Sequence, residues 1–317
     1  MLNIQIQAAE SGHNQELRHT LKIKQEIHHR KVQLARYVLE TTRYQAKMIN
    51  VLLCFHLTCK KIAAMHVWDE SVASRRAQEI GSCVMKYLNT HEHKENIIAW
   101  SDSCRERNRN IKMAAMWMHI VQSSRMNVKE VCHKFAEPGH SYLPNNSDFG
   151  DIDRKFQYHP EIYAPTQWCE VISNSRVKKN KFEVVQMNKE DVKNTTRIEV
   201  NMVNTKNTTT GDKVEWFNIK EMRFTKNKPG IMEYKFTHNS LIGFNSIYLN
   251  KRLTSSPANL GSLVLPILYP QGRELSEEKL KDVRSLLQFV PPVYHAFYNG
   301  LQTFREQKVL KKMVKQT

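Results

Sequence analysis

Four aspartates in two segments are the side chains of this chain best placed to do chemistry. Asp102 lies in IIAWSDSCRERNRN (Ile97 to Asn110), and Asp148, Asp151 and Asp153 lie in EPGHSYLPNNSDFGDID (Glu137 to Asp153). Each segment breaks an apolar, strand-like run into a polar turn followed by a helix, where open α/β sheets build their sites. Asp102 directly follows a predicted central strand, so its carboxylate would project from the carboxyl edge of the sheet. If the helix carrying the later aspartates crosses the same edge, one of them comes close to Asp102. Such a pair can hold Mg²⁺ or Mn²⁺, hard cations that polarise a phosphodiester and activate a water or a 3′ hydroxyl. The plain alternatives are Asp102 as a turn or cap residue and the later acids as favourable charges in a first helical turn. His140, in PGHSY, is open in the same way: a base or ligand, or a hydrogen-bonded residue beside a turn. His28, His29, His91 and His93 lack ligand spacing.

The elements that must hold these residues follow from periodicity. Residues 14 to 48 contain no Gly or Pro and spread basic residues along a helical pattern, a basic arm that contacts phosphate, dimerises, or packs by one apolar stripe. INVLLCFHL (Ile49 to Leu57) reads as a buried central strand, followed after very few residues by a strand over Ile62 to Trp68. Ser71 or Ser74 is available to cap a helix carrying Ile80, Val84, Tyr87 and Leu88. Asn96 to Trp100 is the next strand, Arg109 to about Arg125 a helix apolar on nearly all sides, and Val131 to Ala136 a further strand. Asn146 or Ser147 caps a helix through Phe149, Ile152 and Phe156. This order predicts an α/β fold with a mixed sheet flanked by helices, compatible with an RNase H-like core and with a flavodoxin-like or other doubly wound sheet.

Beyond Pro160 the texture changes. Thr166 to Arg176 predicts a short helix and Phe182 to Met187 a strand, whereas the Asn- and Thr-rich stretch from Asn188 to Gly211 reads as a loop or poorly ordered insert. Val214 to Phe224 and Met232 to Thr237 form a predicted hairpin across KNKPG, whose Pro229-Gly230 pair is a turn signal. Two helices split by Pro291-Pro292 follow. The expected organisation is a basic helical arm over 1–48, an α/β core over 49–160, a small α+β addition with a hairpin over 161–252, and a linker with C-terminal helices over 253–317.

Composition narrows the chemistry. The 48 Lys and Arg against 31 Asp and Glu give a net charge of +17, with a pI near 9.6. That excess suits a polyanion, because each cation placed on a phosphate releases condensed counterions, although a solvated basic surface has the same composition. The 10 glycines are unclustered, and there is no phosphate-cradling loop, GxSxG or HExxH. The 6 cysteines form no CxxC pair and read as reduced, mostly buried thiols. The sequence MLNIQIQAAESGH has no basic stretch followed by an apolar block, and no apolar run is long enough to span a membrane. The expectation is an intracellular chain, nuclear if it binds DNA.

HVWDESVASRRAQEIGSC, WSDSCRERNRNIKMAAMWMHIVQSS, PGHSYLPNNSDFGDID and KVEWFNIKEMRF together resemble a family of transposon-derived proteins widespread in insects and other invertebrates. The resemblance covers roughly Leu17 to Arg252 and, more loosely, LLQFVPPVYHAFYNGL. That family looks like an RNase H-like nuclease core of the DDE or DDD transposase and integrase kind. Carried over by position, the resemblance implies that Asp102 is the acidic residue after the fourth strand and that Asp153 occupies a place usually held by Glu. Asp148 matches another acidic position and His140 the histidine of the GHS motif. Asp102 and Asp153 would be the metal ligands. Three departures stand out: His56 replaces the first carboxylate, the connection around Cys59 to Ala64 is shortened, and SCRERNRN replaces a Gly-rich turn. A neutral imidazole cannot bridge two metal ions, so the resemblance implies a degraded site, with Asp69 as the nearest replacement acid. Arg105, Arg107, Arg109 and Lys112 are then the candidate phosphate contacts. The expected function is DNA or RNA binding without catalysis. The alternatives are an active Mg- or Mn-dependent nuclease or transposase, and a non-catalytic interaction protein or unselected relic.

Overall fold

The computed structural model describes residues 19–26, 49–57, 62–137, 143–159, 161–176, 180–202, 206–208, 211–249 and 259–301. The expected α/β class holds: mixed sheets are flanked by helices. The first helix (α1) covers residues 19–26, with Leu21 buried, and the rest of the predicted basic arm lies outside the described residues. No helix among the described residues is long and apolar enough to cross a membrane.

The described strands form two sheets rather than one. In the first, β1 (Ile49–Leu57) pairs antiparallel with β2 (Ile62–Asp69), and β2 pairs in parallel with β5 (Glu183–Gln186). The second has the order β3, β4, β6, β7, β8, formed by Asn96–Ser101, Glu130–Phe135, Glu221–Thr225, Ile231–Lys235 and Asn245–Tyr248. Only its β3–β4 pair is parallel, and the helix between them, α3 (Ile111–Gln122), supplies the crossover that a parallel pair needs.

Among the described residues, two strands read as central are therefore edges. β1 flanks β2, and β3 closes one side of the five-stranded sheet. The physical reason is that a short apolar run is compatible with either place. In β3 the alternation is visible only as burial: Ile97, Ala99 and Ser101 turn inward, while Ile98 is 66% and Trp100 50% exposed. Nor does the boundary near residue 160 divide the sheets, because β5 joins β2 and β6 joins β4. Among the described residues, β1 and β3 lie in different sheets.

β2 is the strand that two of the hydrophobic cores share. Ala64 and Trp68 on one face enter the large core with α2 (Ala77–Thr90) and α3. Ala63, Met65 and Val67 on the other face pack with Ile152 of α4 (Pro144–Phe156) and Ile172 of α5 (Pro165–Ser173). As its composition predicts, α3 is buried from Met113 to Val121. Asn110 caps it by accepting from the Met113 amide at 3.0 Å. The hairpin also forms as predicted, with Glu221 opposite Lys235 and Gly230 at φ 78° in its turn, although residues before Glu221 turn rather than extend. The Asn- and Thr-rich stretch is no insert: Val192, Ile198 and Met202 enter the large core.

Candidate nucleic-acid interface

Asp102 follows β3 directly, as expected, and its carboxylate organises the next turn. Its Oδ1 accepts from the Cys104 amide at 3.0 Å and from Asn108 Nδ2 at 2.7 Å. The turn closes as the Asn108 and Arg109 amides donate to the Cys104 carbonyl at 2.8 and 3.1 Å. Arg107 reaches Asp102 Oδ2 only at 3.9 Å, while its Nε donates to Cys104 Sγ at 3.3 Å. This is an Asx-type turn, the plainer of the two roles the sequence allowed.

The acids of α4 are elsewhere. Pro144 begins that helix, so no acid lies in its first turn and dipole stabilisation does not explain them. Asp148 is buried and ion-paired with Arg176, whose Nε also donates to Asp151 Oδ2 at 3.2 Å. Arg176 in turn lies over the Phe182 ring at 4.0 Å. Asp153 points to solvent. α4 packs on β1 and α5, whereas Asp102 directly follows a strand of the other sheet. No group of three or more His, Cys, Asp or Glu side chains able to hold a metal occurs among the described residues. Asp102 is engaged by turn amides and Asp148 by a buried guanidinium. His140 lies outside the described residues, and of His56 only the backbone is described, paired opposite Ala63. Asp69, the suggested replacement, is 7% exposed and accepts from the Ser71 amide at 2.9 Å.

The four basic candidates divide. Arg109 is buried and donates to the Ile219 carbonyl at 3.2 Å, and burial lowers its pKa. It cannot reach a phosphate without leaving the core. Lys112 is paired with Glu199 at 3.0 Å. Arg105 and Arg107 are exposed, Arg105 lying over the Phe217 ring at 3.4 Å.

Beneath the Asp102 turn lies a polar chain not singled out from sequence. Trp117 Nε1 donates to His133 Nδ1 at 3.0 Å, which places the imidazole proton on Nε2, facing Ser101 Oγ at 2.8 Å. Ser101 Oγ then donates to the Asp102 carbonyl at 2.9 Å. Desolvation pushes the His133 pKa down to about 3, the nearby Asp102 charge opposing it. His66, also buried, falls to about 4 through desolvation and then the Lys86 charge.

Both histidines fold neutral and protonate more readily when unfolded, with a reference value of 6.5. Their contribution is therefore complete above about pH 6.5 and is lost as pH falls towards their folded values. Each contributes a slope approaching about 1.4 kcal/mol per pH unit. Urea unfolding between pH 6.5 and 5, above most carboxylate titration, should show stability falling with a slope that rises towards about two protons or more, since burial lowers the His119 pKa as well. A flat profile there would contradict the neutral, buried state of both rings.

The outer face of the five-stranded sheet is the feature that sequence reading missed. On it Trp100, Lys134, Glu221 and Lys235 form one cross-strand row, and Ile98, Cys132, Arg223, Glu233 and Ser246 another. Arg223 bonds Glu233 through two nitrogens at 3.1 and 3.0 Å, and Lys228 adds a contact at 2.9 Å. Lys134 lies 3.7 Å from Glu221 and 5.8 Å from the Trp100 ring. The alternation of charge along β6 and β7 was the available signal. Compared with models of known protein families, with curated proteins and with solved structures, the chain matches none.

Proposed function

We propose that this protein is a non-catalytic nucleic-acid-binding protein, a transposon-derived chain that has kept its affinity for polyanions. The net charge of +17 carries the reading. A surplus of that size gives favourable long-range attraction to a phosphate backbone and accelerates encounter with it. The exposed guanidinium groups of Arg105 and Arg107 add to it, whereas Arg109 serves the core. Catalysis is left out because two-metal phosphoryl transfer needs carboxylates converging on one place. Asp102 and Asp148 are instead engaged in a turn and in a buried ion pair.

The test is a binding isotherm on labelled DNA and RNA over a salt series, run beside a cleavage assay with Mg²⁺ or Mn²⁺. If six to ten phosphates are contacted, affinity should fall about 10³- to 10⁵-fold between roughly 50 and 200 mM salt. Absent binding at low ionic strength, or binding indifferent to salt, overturns the proposal. Metal-dependent cleavage that disappears in Asp102→Asn would overturn its non-catalytic half.

A further inference from the structure

We infer that the outer face of the five-stranded sheet binds single-stranded nucleic acid, with Trp100 as the ring on which an unpaired base stacks. This rests on the nucleic-acid reading and names the form of the polymer and the surface that takes it.

Position supplies the first argument. Trp100 is half exposed on an edge strand, at the end of β3 beside the turn that displays Arg105 and Arg107. A strand of nucleic acid can run past an edge without crossing a wall of protein. A large apolar ring left in water at such a place can instead be covered by another flat ring, and every base has one.

Charge supplies the second. Lys134, Arg223, Glu130 and the turn residue Lys228 reach this face, whereas Lys235, Glu221 and Glu233 are each only 6% exposed within it. Glu221 and Glu233 are ion-paired with Lys134, Arg223 and Lys228, pairs close to neutral, so the exposed positive charge next to Trp100 is that of Arg105 and Arg107. Cations also sit over rings: Lys134 near Trp100, and Arg223 and Lys235 over Phe244 at 3.8 and 4.4 Å. The His238 ring lies 5.3 Å from Trp100, tilted by 40°. Aromatic rings interleaved with cations on a sheet surface suit a polymer alternating flat apolar bases with phosphates.

The form of the polymer follows from the same geometry. A duplex keeps its base faces stacked inside, so Trp100 would gain no stacking partner from it, whereas a single strand offers its bases freely. Exposed Ile98 beside Trp100 would suit a second protein copy equally well, but the flanking cations favour a polyanion.

Binding of an oligonucleotide of about 15 bases, within the site sizes known for such surfaces, is compared with binding of a duplex of equal length, for the wild type, Trp100→Ala and Trp100→Phe. Sedimentation gives the oligomeric state of each variant. The expected result is that Trp100→Ala weakens single-strand binding about fivefold to a hundredfold, leaves duplex binding unchanged, and is largely rescued by Trp100→Phe. Equal single-strand binding by wild type and Trp100→Ala overturns the inference while the general nucleic-acid reading stands. A change in self-association with no change in binding also overturns it, assigning the face to a second copy. Failure of the wild type to bind either polymer in a salt-dependent way removes both readings together.

Discussion

Arg176→Met should destabilise the protein by about 3–5 kcal/mol, the cost of breaking a buried ion pair by removing one partner. The guanidinium is only 6% exposed, and the carboxylates that it meets, Asp148 and Asp151, are 2% and 10% exposed. Removing the cation takes the guanidinium from Asp148 in a space with little water, while Asp151 keeps Arg154. It also takes away the planar group lying over Phe182. Arg176→Lys should recover only part of the loss, since one ammonium cannot meet two carboxylates with the geometry of a guanidinium fork. Urea denaturation of the three proteins decides the point, and a loss under about 1 kcal/mol for Arg176→Met would mean that the cluster is hydrated and weak. The same measurement separates two meanings of Asp148: a structural partner of Arg176 makes Asp148→Asn less stable, whereas a metal ligand would lose activity without losing fold.

Gly261→Ala should cost about 2–4 kcal/mol, from overpacking combined with partial loss of a buried leucine. A Cβ built on Gly261 would lie 2.2 Å from the Gln122 carbonyl carbon and 2.3 Å from the Ser123 nitrogen, both backbone atoms. The end of α3 cannot yield as a side chain would. The neighbouring Leu260 is fully buried, its amide donating to Gln122 Oε1 at 3.0 Å and its carbonyl accepting from His119 Nδ1 at 2.8 Å. Pushing Gly261 away therefore lifts Leu260 and breaks both bonds. Gly243→Ala is the control, since nothing lies within 4 Å of its added Cβ, and it should change stability by no more than about 0.5 kcal/mol. Equal melting of Gly261→Ala and wild type would show that the turn re-seats without strain.

How much of this was legible before the structure depended on whether the signal was local. The apolar completeness of Met113 to Val121, the Pro229-Gly230 turn and the strand after Glu183 are properties of short windows, and each appears where the sequence places it. Edge or centre is not local. INVLLCFHL and NIIAWS carry enough apolar residues for a central strand, and only the partners, set by distant chain, leave both at margins. The candidate site failed for the same reason. Spacing put Asp102 and the α4 acids near turns, but no local pattern indicated that Arg176 would take Asp148 or that α4 would pack on the other sheet. Arg109 stands among the candidate phosphate contacts in the sequence, but it is buried against Ile219 and Phe135, which no local pattern brings to it.

The interleaved pairing of the two sheets also has a consequence for biosynthesis. β2 waits for β5, more than a hundred residues later, and β4 waits for β6, more than eighty residues later, although β1 to β4 leave the ribosome first. Throughout that interval the nascent chain carries two apolar strands with open backbone edges, the kind of surface that recruits chaperones or pairs with a neighbouring chain. Slow folding governed by distant contacts is to be expected, and a chain stopped before residue 221 would be left with β4 exposed along one side.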